Sequence, residues 1–95
     1  MLNSDQLKKD LQKFAKSIRT AGGYYATPKA MMTKQQIKNN TATLNCDNWT
    51  PEQITSRVID TPAFKALVQK YNLSFHTFTD GYGINHIRLN YSLEA

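Results

Sequence analysis

Leu7, Leu11, Phe14 and Ile18 recur at helical spacing with Ala15 beside them, while Lys8, Lys9, Lys13, Lys16 and Arg19 take the intervening positions. An apolar seam backed by a basic face predicts an amphipathic helix lying on a core. Asn3, with Gln6 three residues on, can cap it, and Leu2 can staple onto Leu7. Ala21-Gly22-Gly23 ends it, because glycine reaches left-handed backbone angles without strain.

Residues 22–33 read as a connector. Thr27-Pro28 can cap and open a turn of helix, since proline at the first helical position forfeits no intrahelical hydrogen bond. Thr33 followed by Gln36, with Met32 and Ile37 as the staple, predicts a short helix over about 34–39. A continuous helix from Pro28 is the competing reading.

Thr41 to Cys46 alternates, placing Ala42, Leu44 and Cys46 on one side and Thr41, Thr43 and Asn45 on the other, the period of a half-buried strand. The next helix has a full set of start signals. Thr50 is the cap, Pro51 the first helical residue, Gln53 completes the box, and Trp49 can staple onto Ile54. This helix runs to about Asp60, burying Ile54 and Val58, with Ile59 a further candidate for the buried side. Thr61-Pro62 breaks it, because the residue before proline is driven out of helical angles. Phe64, Leu67, Val68 and Tyr71 then mark the buried stripe of another helix.

The C-terminal segment predicts a hairpin. Residues 73–79 and 84–93 flank a loop of Gly81-Tyr82-Gly83, with Gly83 in the left-handed position and Asp80 facing Ile84. This register pairs Leu73 with Tyr91, Phe75 with Leu89 and Thr77 with Ile87 on the buried face. The other face pairs Ser74 with Asn90, His76 with Arg88 and Phe78 with His86. A slip of one residue would scatter the apolar set, so the pattern itself selects the pairing. The order is thus helix, short helix, strand, helix, helix, strand, strand. It implies an α+β fold, a small mainly antiparallel sheet with a C-terminal hairpin packed against three or four helices, in one compact domain over 1–95.

Composition narrows the function classes. At 95 residues a deep substrate cavity with a separate lid is not expected, and any site should be a shallow groove, a patch or an interface. The single Cys46 excludes an intrachain disulfide framework and fits a reducing compartment. No stretch approaches the ~20 apolar residues of a bilayer span, so no membrane partner is expected and a cytoplasmic protein is the default. Charge is uneven: residues 1–40 hold eight Lys or Arg against two acids, a net +6, whereas residues 41–95 hold four against five, a net −1. This split favours a polyanion or an acidic protein surface as the partner of the N-terminal half.

The candidate binding set is Lys9, Lys13, Lys16, Arg19, Lys29, Lys34 and Lys38, with Tyr24 and Tyr25 as stacking surfaces for single-stranded bases. Lysines dominate it, and a point charge suits loose phosphate contact more than base reading. The bland alternative is that these lysines only solvate the outer side of a helix and cover apolar surface with their stems. The second candidate is the outward face of the hairpin, where His76, His86 and Arg88 could act as a two-histidine acid/base set with an arginine holding phosphate. Its bland reading has one histidine packed on Phe78 and the other in solvent.

Cys46 faces the apolar side of its strand, away from both histidines, and reads as a small buried hydrophobe, so neither a metal nor a cofactor is expected. Neither glycine pair has the spacing or the lysine of a phosphate loop. Three functions follow, in order of preference. The first is a non-enzymatic accessory protein that binds nucleic acid with low sequence specificity. The second is a regulator or inhibitor docking on a larger protein, and the third a metal-independent ribonuclease. Open sheet edges also leave room for a homodimer.

Overall fold

The computed structural model describes residues 3–21 and 27–92. The chain begins with helix α1, Ser4–Ala21, capped by Asn3, whose side-chain oxygen accepts from the Gln6 amide at 2.8 Å. Leu7, Leu11, Phe14 and Ala15 are buried along its inner side, as the spacing requires. The predicted Leu2 staple and the Gly22-Gly23 stop lie outside the described residues.

The connector departs from the sequence reading. Pro28 does not open a helix: Thr27-Pro28 is a cis peptide leading into strand β1, Lys29–Met31. Helicity is ruled out locally by pairing, because Lys29, Ala30 and Met31 lie opposite Asn45, Leu44 and Thr43 of the following strand. Three residues carry too little alternation to announce a strand on their own. The short helix α2, Lys34–Lys38, forms where the capping box places it, Thr33 accepting from the Gln36 amide and the Gln36 side chain accepting from the Thr33 amide.

Strand β2, Thr41–Asn45, is followed by α3, Pro51–Ile54, with the predicted Thr50/Gln53 box. The helix then widens into a π turn over Thr55–Ile59, the Asp60 amide donating to the Thr55 carbonyl five residues back at 2.8 Å. Ile54 and Val58 are buried along it, and Arg57 lies over the Trp49 ring, 5.0 Å from its centre. Helix α4, Pro62–Tyr71, is capped by Thr61 and ends at Asn72, which takes the left-handed conformation.

Strands β3, Ser74–Thr79, and β4, Asn85–Asn90, form the hairpin in the predicted register, including Phe75 opposite Leu89, His76 opposite Arg88 and Phe78 opposite His86. Gly83 has φ +79° and the Asp80 amide donates to the Ile84 carbonyl, so the loop is the three-residue turn with glycine at its left-handed position. The sheet is fully antiparallel in the order β1-β2-β4-β3, which places β4 centrally and leaves β1 and β3 as edges. The fold is therefore α+β, with four helices and a four-stranded sheet among the described residues.

The core lies between α1, α3 and α4 and one face of the sheet. Ala42 and Leu44 of β2 and Ile87 and Leu89 of β4 are fully buried there, against Leu7, Leu11, Ile54, Val58 and Phe64. Phe64 bridges the layers, 5.9 Å from Phe14 and edge-on to Phe75 at 5.1 Å. Burial weakens toward the edge. Phe75 is 38% exposed and Thr77 is exposed, although both share the core-facing side with Ile87. Two-residue alternation correctly assigns their side; how far the helix layer reaches decides their burial.

Candidate functional site

Two surfaces carry the candidate residues, and the sheet separates them. On the helix layer, Lys9, Lys13 and Lys16 are all exposed. Their spacing puts them within a sector of about 60° on the outer side of α1. None of them is within 4 Å of a carboxylate among the described residues. Asp10, next to Lys9 in the chain but about 60° round the helix from Lys13, is already engaged. It accepts from the Tyr71 hydroxyl at 2.5 Å and pairs with Lys70 at 3.1 Å, tying α1 to α4. The Tyr71 bond chiefly holds the Asp10 carboxyl below its ordinary range, with Lys70 adding to the effect against partial desolvation. Burial, and then Asp10 itself, pushes the Tyr71 hydroxyl up.

The other basic candidates do not join this stripe. Arg19 is half-buried and its Nη1 donates to the Pro28 carbonyl at 2.8 Å, so it clamps the end of α1 to the start of β1. Lys29 shares the outward side of the sheet with its partner Asn45. Lys34 and Lys38 are exposed on α2. Tyr24 and Tyr25 lie outside the described residues. Beside the stripe, an open groove of about 370 Å³ runs between α1 and α4, lined by Phe14, Ser17, Ala63, Ala66 and Leu67, with Lys13 and Lys70 at its rim.

The second surface is the face of the sheet turned away from the core. Alternation and register bring His76, Phe78, His86 and Arg88 together there, all from β3 and β4. The His86 ring stacks on Phe78 at 4.9 Å and 21°, the Arg88 guanidinium lies 5.1 Å from the same ring, and His76 is 6.1 Å from it. His76 is exposed, whereas the His86 side chain is only 12% exposed. The His86 Nε2 is held by Asp80 at 2.8 Å, and its Nδ1 is shielded from solvent without a hydrogen-bond partner.

Sequence reasoning had placed Asp80 only in the turn. Its Oδ1 does organise the loop by accepting from the Tyr82 and Ile84 amides, and its Oδ2 reaches His86. The His86 hydrogen bond is the main cause of the lowered Asp80 carboxyl, the two loop amides contributing in the same direction. The signal was present in the chain: by alternation Asp80 shares its side of β3 with His76 and Phe78. His86 thus offers an outside ligand no free, solvent-facing ring nitrogen. An acid/base pair with His76 would need both rings to present one.

Cys46 is fully buried on the core side, and burial pushes its thiol up to about 12. No group of three His, Cys, Asp or Glu side chains suited to a metal gathers among the described residues, and no helix there is long and apolar enough to cross a membrane. No family model, curated protein or solved structure matches the chain.

Proposed function

We propose that this chain binds nucleic acid with low sequence specificity through the lysine stripe of α1, as a small accessory or regulatory protein rather than an enzyme. The observation that carries this reading is that Lys9, Lys13 and Lys16 stand exposed on one side of α1 with no carboxylate within 4 Å among the described residues, while the neighbouring Asp10 is bonded to Tyr71 and Lys70. Three lysines on one helix side can follow a phosphate backbone without a fixed register, displacing counterions as they do so. Arg19, the one residue of the set capable of a forked contact with guanine, is spent on the Pro28 carbonyl. A cytoplasmic, reducing setting goes with the buried, unreactive thiol of Cys46.

The test is a mobility-shift titration on unrelated DNA and RNA. Three phosphate contacts on a duplex predict an affinity loss of roughly 40-fold between 50 and 200 mM salt. The variant Lys9/Lys13/Lys16→Glu should lose binding to both nucleic acids, and an unchanged shift would reject the stripe as the contact.

The groove between α1 and α4 favours a second reading, in which the partner is an acidic amphipathic helix of a larger protein. Its apolar floor and the lysines at its rim suit such a helix. That reading predicts little affinity for free nucleic acid at any salt concentration. The free edge of β3 gives pairing between copies a place to occur.

A further inference from the structure

The outward face of the sheet carries positive charge that the fold leaves unneutralised, and Arg88 lies at its centre. β4 is an inner strand, so Arg88 has His76 of β3 on one side and Thr43 of β2 on the other. It is half-buried, forms no ion pair among the described residues, and its shielded Nε has no hydrogen-bond partner. Folded proteins nearly always satisfy such a group, particularly one bearing a full charge. With Nε shielded, it is the terminal Nη groups that an incoming anion would meet, and among the described residues Arg88 has the Phe78 ring beside it but no carboxylate partner.

The neighbourhood shows why. Asp80 is the one carboxylate that β3, β4 and their loop turn to this face, and both its oxygens are occupied, by His86 and by the loop amides. The remaining side chains are cationic, titratable or neutral: His76 directly opposite Arg88, Lys29 in the adjoining cross-strand row, and Thr43, whose hydroxyl accepts from Gln36 Nε2 at 2.8 Å. His86 and Arg88 both pack on Phe78, so the site is built on an aromatic floor and supported by the fully buried Ile87 and Leu89 beneath it. A rigid platform of this kind limits the ordering cost when an anion arrives.

We propose that this face is an anion site for a phosphate ester, held by the guanidinium of Arg88 and the imidazole of His76. A planar guanidinium pairs two donors with two oxygens, and a phosphate keeps a third oxygen for a neighbouring donor such as His76. Lys29, one row away, adds attraction at longer range. The Asp80–His86 bond has a positioning role: it fixes the His86 ring under Phe78 and keeps the carboxylate from capturing Arg88. The site is independent of the α1 stripe, which lies on the opposite side of the core. The phosphate can come from a free mononucleotide or from the backbone of a single strand.

The experiment titrates the full chain with inorganic phosphate, following His76 and backbone signals by NMR. Wild type should show saturable shifts at His76, Arg88 and their strand neighbours. Arg88→Gln should weaken binding tenfold or more, as expected for loss of a charge-assisted pair. Arg88→Lys, which keeps the charge and the stem over Phe78, should fall between the two. His76→Ala removes an exposed side chain, so the fold should survive while affinity falls several-fold. Lys9/Lys13/Lys16→Glu should leave this titration unchanged, which separates failure of this site from failure of the α1 surface.

A second arm compares a mononucleotide with a ten-residue oligothymidylate at one salt concentration. Equal affinity per phosphate identifies the free nucleotide as the source, and a clear gain for the oligomer identifies the strand. Phosphate shifts confined to α1, or affinity unchanged in both Arg88→Lys and His76→Ala, would overturn the site. Binding of an acidic peptide with none of phosphate would overturn it too.

Discussion

The lysine stripe of α1 and the outward face of the hairpin are both basic, yet their charge is held differently. Lys9, Lys13 and Lys16 are point charges on flexible, exposed stems, which water can hydrate. Arg88 is half-buried over Phe78, with its Nε shielded from solvent and without a hydrogen-bond partner among the described residues. The stripe contributes three of the chain's twelve Lys and Arg residues; the hairpin face contributes a half-buried charge without a carboxylate partner among the described residues. Net charge identifies a surface able to attract a polyanion, whereas partial burial without a partner identifies a place where one particular anion would be held. A count of lysines along the chain finds only the first kind.

Both surfaces rest on one core, and the largest expected effect tests this. Ile87 is fully buried between the outward-facing His86 and Arg88, and it packs in the same cluster as Leu11 beneath the α1 stripe. Ile87→Ala should cost about 2–5 kcal/mol. That is a large part of the ~5–15 kcal/mol available to a domain, so chemical denaturation should show both surfaces melting together at a lower midpoint. Separate loss of hairpin signals before those of α1 would break the premise of a common core.

A smaller change should separate the two surfaces. Gly83 has φ +79°, and although a Cβ would meet nothing within 4 Å, the left-handed angle itself disfavours a side chain. Gly83→Ala should therefore cost about 1 kcal/mol. Because the same loop carries the amides that orient Asp80, NMR shifts in the variant should centre on Asp80 and His86 and leave Lys9 to Lys16 unmoved. Equal disturbance of α1 would mean that the turn is coupled to the helix layer.

The unequal legibility of these regions in the sequence has a physical basis. Where the fold is determined by local chemistry it could be read directly: the Thr33/Gln36 and Thr50/Gln53 boxes, the Thr61-Pro62 restart and the left-handed Gly83 all formed where short-range sterics require them. The hairpin register was legible because slippage by one residue would expose Ile87 and Leu89. Strand β1 was not, since only β2, fourteen residues on at Leu44 opposite Ala30, gives its three residues hydrogen-bond partners.

The same distinction applies to the candidate sites. Placing His76, Phe78, His86 and Arg88 on one face followed from alternation. The Asp80–His86 bond and the shielding of Arg88 Nε depend on side-chain packing, which periodicity does not specify. Arg19 counted as part of a basic surface until the fold brought the Pro28 carbonyl to it.

The smallest effect compares the carboxylates that serve the two regions. Asp10 fastens α1 to α4 and is lowered mainly by the Tyr71 hydroxyl bond; Asp80 belongs to the hairpin and is lowered mainly by His86. A carboxyl whose folded-state value lies below the ordinary 3.8 contributes stability that is complete above that value and disappears as pH falls through the folded-state value. The acid limb of the stability curve, below about pH 4, should therefore flatten in Asp10→Asn and in Asp80→Asn, and flatten further in the double variant. Asp10→Asn leaves an acceptor for Tyr71 and removes the partly exposed pair with Lys70, so its cost at pH 7 should be only about 0.5 kcal/mol. Thermal midpoints measured from pH 7 to pH 2.5 should show each variant closest to wild type at the acid end, where the wild-type carboxyls are themselves protonated. Phosphate titration of the two variants then distinguishes the regions. Asp10→Asn should leave phosphate binding at the proposed hairpin site unchanged, whereas Asp80→Asn frees His86 from its clamp and should alter phosphate affinity without changing the salt-dependent binding proposed for the α1 stripe.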